Sequence, residues 1–112
     1  MAGNHVITLI QGDTFNFNFR LEIDDEPWNL TSYTAKMQVR ESSFATNKLL
    51  DLSTTSGITL TSGGHVSCTA SSTVTSSLPV GRWIYDFELT SPDNTKTTIL
   101  QDSFIISPQV TQ

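Results

Sequence analysis

One segment of the chain alternates apolar and polar residues without a break. From Thr14 to Ile23, each of the five odd positions is large and apolar and each even position is polar. Successive side chains of a β-strand point to opposite faces, so the pattern predicts a strand with all five apolar side chains on one face. A helix would instead need apolar residues three and four positions apart. The segment therefore predicts a sheet with one buried face.

The same alternation returns in shorter segments with turn residues between them. These segments lie at 35–40, 58–60, 66–70 and 83–89, and two further strands are expected at 6–10 and 97–106. Antiparallel sheets with one solvated face show this pattern, whereas parallel strands buried on both faces are continuously apolar. About seven to eight short strands separated by turns predict an all-β antiparallel sandwich, with about four strands in each of two sheets.

Four stretches depart from the alternation. Residues 71–78 open with serines that can cap a helix and end before Pro79, which predicts a short helical turn crossing between the sheets. The apolar phase slips near Ile99 in the last strand, which predicts either a bulge or a strand covered on both faces. Ser42 to Lys48 is expected to be the longest loop, and residues 108–112 are expected to form an extended tail.

Composition and charge exclude several classes of function. The 112 residues fit one domain, 1–112, and carry 6 Lys and Arg against 11 Asp and Glu, a formal net charge of −5. The six basic residues form no cluster, so binding to nucleic acid or to an anionic membrane is not expected. The N-terminus lacks the basic start and apolar stretch of a secretory signal, and no apolar run is long enough to span a bilayer.

The residues that could carry chemistry are few. His5, His65 and Cys68 cannot make up a zinc ligand set, and no metal, cofactor or catalytic residue is expected. Cys68 alternates with apolar neighbours, which indicates a small buried hydrophobe rather than a reactive thiol. Asp86 and Glu88 share the polar side of one strand, which is more typical of a solvated face than of paired catalytic carboxylates. We expect the chain not to be an enzyme.

The aromatic residues mostly indicate core packing. Trp83 and Tyr85 alternate with Phe87 and Leu89, which predicts rings directed into the sandwich. Trp28 follows Pro27 outside this pattern, so it is the candidate for a ring that stacks on a sugar. A fully buried Trp28 would exclude that use.

Four segments together resemble a known family. They are Ile7–Phe15, Trp28–Arg40, Leu78–Leu89 and Leu100–Thr111. In this order they resemble the immunoglobulin-like N-terminal module of tailed-phage upper baseplate proteins and its small stand-alone phage virion relatives. The resemblance implies an immunoglobulin-like β-sandwich of about seven to eight strands.

The matching pieces also have physical explanations. Gly12 in Gln11-Gly12-Asp13 suits a tight turn between the first two strands. Leu30 is expected to enter the core before the next strand. The Pro79-x-Gly81-x-Trp83-x-Tyr85 spacing is similar to the corner of immunoglobulin-like sandwiches, where a ring closes the entry to a strand.

The resemblance implies a structural protein of the phage particle. The expected role is a multi-copy component of the tail, baseplate or neck, made in the host cytoplasm and located in the virion. The alternatives are a capsid cement or decoration protein and a virion-surface carbohydrate-binding module. The expected partners are other virion proteins and copies of the chain itself in a symmetric assembly.

The candidate contact residues lie in three parts of the chain. The first strand and the C-terminal tail are candidates because an extended segment can add to the edge of a neighbouring sheet. The loop before Lys48 is a further candidate. The residues are Val6, Thr8, Ser43, Phe44, Pro108, Gln109 and Val110.

Overall fold

The computed structural model describes residues 3–23, 25–42 and 48–108. They form ten strands and one short helix in the described part of the chain. The strands are β1 Ile7–Ile10, β2 Phe15–Arg20, β3 Glu22–Ile23, β4 Glu26–Pro27, β5 Thr34–Arg40, β6 Lys48–Ser53, β7 Ile58–Leu60, β8 His65–Ala70, β9 Gly81–Thr90 and β10 Lys96–Ser107. Helix α1 is Ser72–Ser76.

Two sheets form an immunoglobulin-like β-sandwich, which confirms the predicted fold class. The five-stranded sheet has the order β1-β10-β9-β5-β6, and the three-stranded sheet has the order β2-β8-β7. The strands β2, β8 and β7 correspond to strands B, E and D of the immunoglobulin fold. The antiparallel strands β5, β9 and β10 correspond to its strands C, F and G. β6 lies beside β5, where variable-type domains add strand C′.

The sheets depart from the prediction in two respects. Five and three strands replace two sheets of about four, and β3 and β4 form a separate two-stranded ribbon. In addition, β1 pairs with β10 in parallel, from Ile7 opposite Phe104 to Ile10 opposite Ser107. The expectation of purely antiparallel sheets was therefore wrong for this one pair. Alternation favours antiparallel pairing only as a tendency, and the first strand itself does not alternate, since Thr8 is its single polar residue between Val6 and Ile10.

The core lies between the inner faces of the two sheets. Phe104 of β10 is fully buried, and its ring centroid lies 5.6 Å from that of Phe15 and 6.1 Å from that of Tyr85. Phe19 of β2 meets the buried Phe87 of β9 edge to face at 5.2 Å. Such ring pairs contribute about 0.5–1.5 kcal/mol beyond their buried area. Aromatic contacts thus join the two layers.

The phenylalanine-rich strand is shorter than the alternation predicts. β2 ends at Arg20, and Leu21 donates its backbone N–H to the Gly64 carbonyl at 2.7 Å. The chain then enters the β3–β4 ribbon instead of continuing along the sheet. The prediction of one strand from Thr14 to Ile23 was wrong after Arg20. The backbone of Leu21 bonds instead to Gly64, in the turn before β8, and to Trp28.

A further correction concerns the predicted loop Ser42 to Lys48. Lys48 begins β6, which pairs antiparallel with β5, and Leu50 and Leu52 of β6 are buried. Residues 43–47 of the predicted loop lie outside the described residues. β6 was missed because only Leu50-Asp51-Leu52 alternates in this short strand.

The predicted helical turn and bulge are confirmed, whereas residues 109–112 of the expected tail lie outside the described residues. Ser71 caps α1 through its side chain, which accepts from the Val74 N–H at 3.4 Å, and the helix connects β8 of one sheet to β9 of the other. The register of β10 on β9 shifts between Thr98 and Leu100, as a bulge requires. No helix in the described residues is long and apolar enough to cross a membrane.

Candidate interaction face

The outer face of the five-stranded sheet carries a group of β-branched side chains beside β1. Ile7 and Leu9 of β1 are buried, so alternation directs Val6, Thr8 and Ile10 to the opposite, solvent side. Val6 is 46 % exposed and Ile10 is 47 % exposed. Two of these three outward positions, Val6 and Thr8, are candidate contact residues predicted from the sequence.

The register of the sheet extends this group across β10 and β9. Thr8 lies opposite Ile105 of β10, and Ile105 lies opposite Arg82 of β9. Ser103 of β10 lies opposite Ile84 of β9. Ile84 and Ile105 are half-buried and point outward, since their strand neighbours face the core. We call the surface formed by Val6, Thr8, Ile10, Ile84 and Ile105 the β1 face.

A polar hollow of about 350 Å³ borders the β1 face on the same sheet. Asp86 and Glu88 line it together with Lys36 and Arg40. Burial raises the pKa of the Asp86 carboxyl, the Glu88 carboxylate raises it further, and Arg40 lowers it. Asp86 and Glu88 thus lie on the outer face of the sheet, as their alternation predicts.

The remaining candidate contact residues lie elsewhere. Pro108 is exposed and follows the last residue of β10, at the same end of the sheet as Ile10. Ser43, Phe44, Gln109 and Val110 lie outside the described residues. The sequence reasoning missed Ile10, Ile84 and Ile105. Alternation in their strands places them on the outer side, but only the register shows that they lie close to Val6 and Thr8.

A buried hydroxyl holds the segment that leads into β1. The Tyr85 ring is 2 % exposed, and its hydroxyl donates a hydrogen bond to the His5 carbonyl. His5 itself is exposed and stacks on Phe17 of β2, with ring centroids 5.4 Å apart. These two contacts fix the chain just before Val6, so they position the start of the β1 face.

Trp83 closes the entry to β9. Trp83 donates its indole N–H to the Pro79 carbonyl, four residues upstream, at 2.9 Å. The Tyr85 hydroxyl instead donates to the His5 carbonyl, 80 residues upstream, beside β1 of the same sheet. The hydrogen bond at the position of the expected corner is therefore made by Trp83.

Trp28, the candidate sugar-stacking residue, is half-buried at the far end of the sandwich. Its ring meets Tyr33 edge to face at 5.9 Å, and the two rings line a groove of about 520 Å³ with Asp93 and Thr95. Hydrogen bonds from Ser91 and Thr95 lower the pKa of the exposed Asp93 carboxyl. The groove therefore combines aromatic rings with a carboxylate acceptor.

Cys68 is fully buried between Val66 and Ala70, as its alternation predicts. Burial raises the pKa of its thiol from 9.0 to about 12. A thiol at neutral pH is a poor nucleophile, because the thiolate is the reactive form. Among the described residues, no group of three or more His, Cys, Asp and Glu side chains is arranged to hold a metal ion.

Alkaline pH is expected to destabilise the protein. Burial and, to a smaller extent, the Asp102 carboxylate raise the pKa of Tyr85 from 10.0 to about 12, and the Cys68 thiol rises from 9.0 to about 12. As pH rises, the unfolded chain therefore loses these protons before the folded chain does, and this lowers the free energy of unfolding. The free energy of unfolding from urea titrations should be insensitive to these groups below about pH 9 and should fall between about pH 9 and 12.

The two groups are separable by substitution. Tyr85→Phe should reduce the slope between about pH 10 and 12, and Cys68→Ala should reduce it from about pH 9 upward. An unfolding free energy that stays level to pH 12 in the unsubstituted chain would contradict the assignment.

No family model matches the sequence, and no curated protein matches it. Among solved structures, the N-terminal domain of phage TP901-1 ORF48 is similar in fold, with a TM-score of 0.59 and 13 % identity over 92 % of this chain and 85 % of that chain. The extracellular domain of the voltage-gated sodium channel beta4 subunit gives a TM-score of 0.49 and 15 % identity, covering 98 % of this chain and 96 % of that one. Murine CRIg gives a TM-score of 0.44 and 10 % identity, covering 93 % of this chain and 92 % of that one. At these identities the likeness concerns the fold alone.

Proposed function

We propose that the chain is a non-enzymatic structural protein of a bacteriophage particle, which assembles through the β1 face as a multi-copy component of the tail, baseplate or neck. The observation that carries the proposal is the β1 face itself: Val6, Ile10, Ile84 and Ile105 are β-branched apolar side chains on the solvent side of three adjacent strands. Val6 and Ile10 are exposed and Ile84 and Ile105 are half-buried, and a group of apolar side chains on the solvent side of a sheet is typical of protein–protein contacts.

Two further observations support the phage setting. The fold is similar to the N-terminal domain of a phage protein over 92 % of this chain. The sequence segments that resemble the upper baseplate module include Ile7–Phe15, which contains β1, and Leu100–Thr111, which contains Ile105. Ile10 and Ile105 of the β1 face therefore lie in segments that carry the resemblance.

The position of Arg82 makes a sharp test of this function possible. Arg82 lies directly opposite Ile105 in the sheet, so a glutamate in place of Ile105 has a cation beside it in the free protein. In an assembled contact the added carboxylate would be buried. An incompletely paired buried charge costs more than the roughly 1.4 kcal/mol that corresponds to a tenfold loss of affinity.

We expect Ile105→Glu to reduce incorporation into particles at least about tenfold. The measurement is an immunoblot of particles purified from host cells that express the tagged variant during infection. Thr59→Glu is the control, because Thr59 is exposed on β7 of the three-stranded sheet and not on the sheet that carries the β1 face. Equal incorporation of both variants, with folding verified by circular dichroism, would refute a role for the β1 face.

The same particles distinguish the alternative virion positions. Electron microscopy of particles that carry the tagged chain should show density on the tail, baseplate or neck. Density on the capsid surface would instead favour a cement or decoration protein. Absence of the chain from purified particles would contradict the proposed function in both forms.

The groove at Trp28 favours a second candidate function, binding of a carbohydrate. Trp28 is not fully buried, and it shares the groove with Tyr33, Asp93 and Thr95. Aromatic rings next to polar side chains can stack on a sugar ring and hydrogen-bond its hydroxyls. Binding of the purified chain to a glycan array, abolished by Trp28→Ala, would support this function, and no binding by the folded chain would exclude it.

A further inference from the structure

Among residues 3–23, 25–42 and 48–108, β1 is the terminal strand of the five-stranded sheet, and half of its backbone groups face away from that sheet. Gln11 donates its N–H to the Ser107 carbonyl at 2.8 Å, and Gly3 exchanges hydrogen bonds with Ile99 and Gln101 of β10. Alternate residues of a strand direct their N–H and C=O to opposite edges. The odd residues of β1 therefore face β10, and Thr8 directs both its N–H and its C=O to the open edge.

This open edge lacks the protection that the other terminal strands have. β6 carries Lys48 and Asp51, and β2 ends with Arg20, which pairs with Glu22 at 3.7 Å. β7 has only three residues. Charged side chains and short length are the usual devices that prevent edge-to-edge pairing. The segment Val6–Ile10 contains no charged residue.

The same segment is complementary to itself when it is inverted. If two copies run antiparallel with Thr8 opposite Thr8, Val6 lies opposite Ile10 of the other copy and Ile7 lies opposite Leu9. Each pair is then apolar against apolar, on the outer face for Val6 with Ile10 and on the inner face for Ile7 with Leu9. The two Thr8 residues form a hydrogen-bonded pair that exchanges both backbone bonds.

We propose that β1 pairs antiparallel with β1 of a second copy of this chain, across a two-fold axis at Thr8, so that two five-stranded sheets become one continuous sheet. The inference deepens the proposed assembly function and rests on it for its biological setting. A two-fold axis is the commonest symmetry of protein pairs, and it requires a surface complementary to itself.

Charge favours this arrangement over a parallel one. The copies each carry a net charge of −5, so self-association needs a contact that keeps carboxylates apart. Asp13 is the acidic residue that follows β1. Antiparallel pairing places the two Asp13 residues at opposite ends of the paired strands, whereas parallel pairing would place them side by side.

The size of the contact determines how strong the pairing is. Five residues on one edge bury less than the roughly 800 Å² per partner of a typical stable interface. We therefore expect a weak dimer, with a dissociation constant on the order of 100 µM, that becomes populated where other contacts hold copies close together.

The test measures self-association of the purified full chain by sedimentation velocity between about 10 µM and 1 mM, the range that spans the expected dissociation constant. The unsubstituted chain should shift from monomer to dimer. Thr8→Lys and Thr8→Glu should each remain monomeric up to at least about tenfold higher concentration, because like charges then face each other at the axis. An equimolar mixture of the two variants should dimerise again, since opposite charges then meet.

Matched controls come from another exposed strand position. Thr59 is exposed on β7, so Thr59→Lys and Thr59→Glu add the same charges elsewhere and should leave dimerisation unchanged. Recovery in the mixture of Thr8 variants shows that both variants are folded and that Thr8 faces Thr8.

Two results would overturn the inference. A chain that stays monomeric at about 1 mM lacks the pairing, and a mixture of Thr8 variants that does not recover has a different register or a different contact. If the chain stays monomeric in solution but Ile105→Glu still reduces incorporation into particles, the pairing of β1 is refuted and the proposed assembly function is not. Dimerisation in solution by a chain that is absent from particles would instead remove only the phage setting.

Discussion

Phe104→Ala is expected to lower the free energy of unfolding by about 3–5 kcal/mol. Phe104 is fully buried, and its ring contacts Phe15 of the three-stranded sheet and Tyr85 of its own sheet. Removing the ring leaves a cavity between the two layers and deletes both aromatic contacts. The loss is a large part of the stability of a small domain, which is about 5–15 kcal/mol in total. Urea titration at neutral pH followed by tryptophan fluorescence measures it.

Val74→Ala is the control for this substitution. Val74 is 42 % exposed on α1, so its truncation removes little buried area and should change the unfolding free energy by less than about 0.5 kcal/mol. A cost below about 1 kcal/mol for Phe104→Ala would mean that the two layers are not held together at this point.

Gly64→Ala is expected to cost about 2–5 kcal/mol, although it adds a single methyl group. Gly64 has a φ of +82°, where side chains other than hydrogen are strained, and a Cβ at this position would lie 2.3 Å from the Leu21 carbonyl oxygen. That oxygen belongs to the backbone and accepts the Trp28 N–H at 3.0 Å, so it cannot move without breaking the turn. The substitution should therefore disrupt the backbone hydrogen bonds that connect the β7–β8 turn to Leu21 and Trp28.

The neighbouring glycine provides the matched control. A Cβ at Gly63 would meet its nearest atom, His65 Cδ2, at 3.6 Å, which is ordinary van der Waals contact. Gly63→Ala should change the unfolding free energy by no more than about 1 kcal/mol in either direction. Equal effects of the two substitutions in urea titration would contradict the assigned backbone conformation of Gly64.

Much of the fold could be predicted because strand alternation is a local property. Phe15, Val66, Cys68, Phe87 and Leu30 are buried as their patterns predict. The helical turn at α1 was predictable for the same reason, since its serine cap and the following proline are neighbours in sequence. A short strand contains few alternating residues, so β6 was not predicted from the sequence.

The candidate site was predictable only in part. Val6 and Thr8 were predicted because the first strand could add to the edge of a neighbouring sheet, but Ile84 and Ile105 lie far from them in sequence. They join the β1 face because β1 pairs in parallel with β10 and β10 pairs antiparallel with β9. Neither the partner strand nor its direction is encoded by alternation within one strand.

The amino-acid sequence by itself determined where strands form and which side of each strand is apolar, because neighbouring side chains point to opposite faces. The tertiary structure alone decided which strands are adjacent and in which register. Those choices depend on backbone hydrogen bonds and packing between distant residues, such as Gln11 with Ser107 and Tyr85 with His5, which no local pattern specifies.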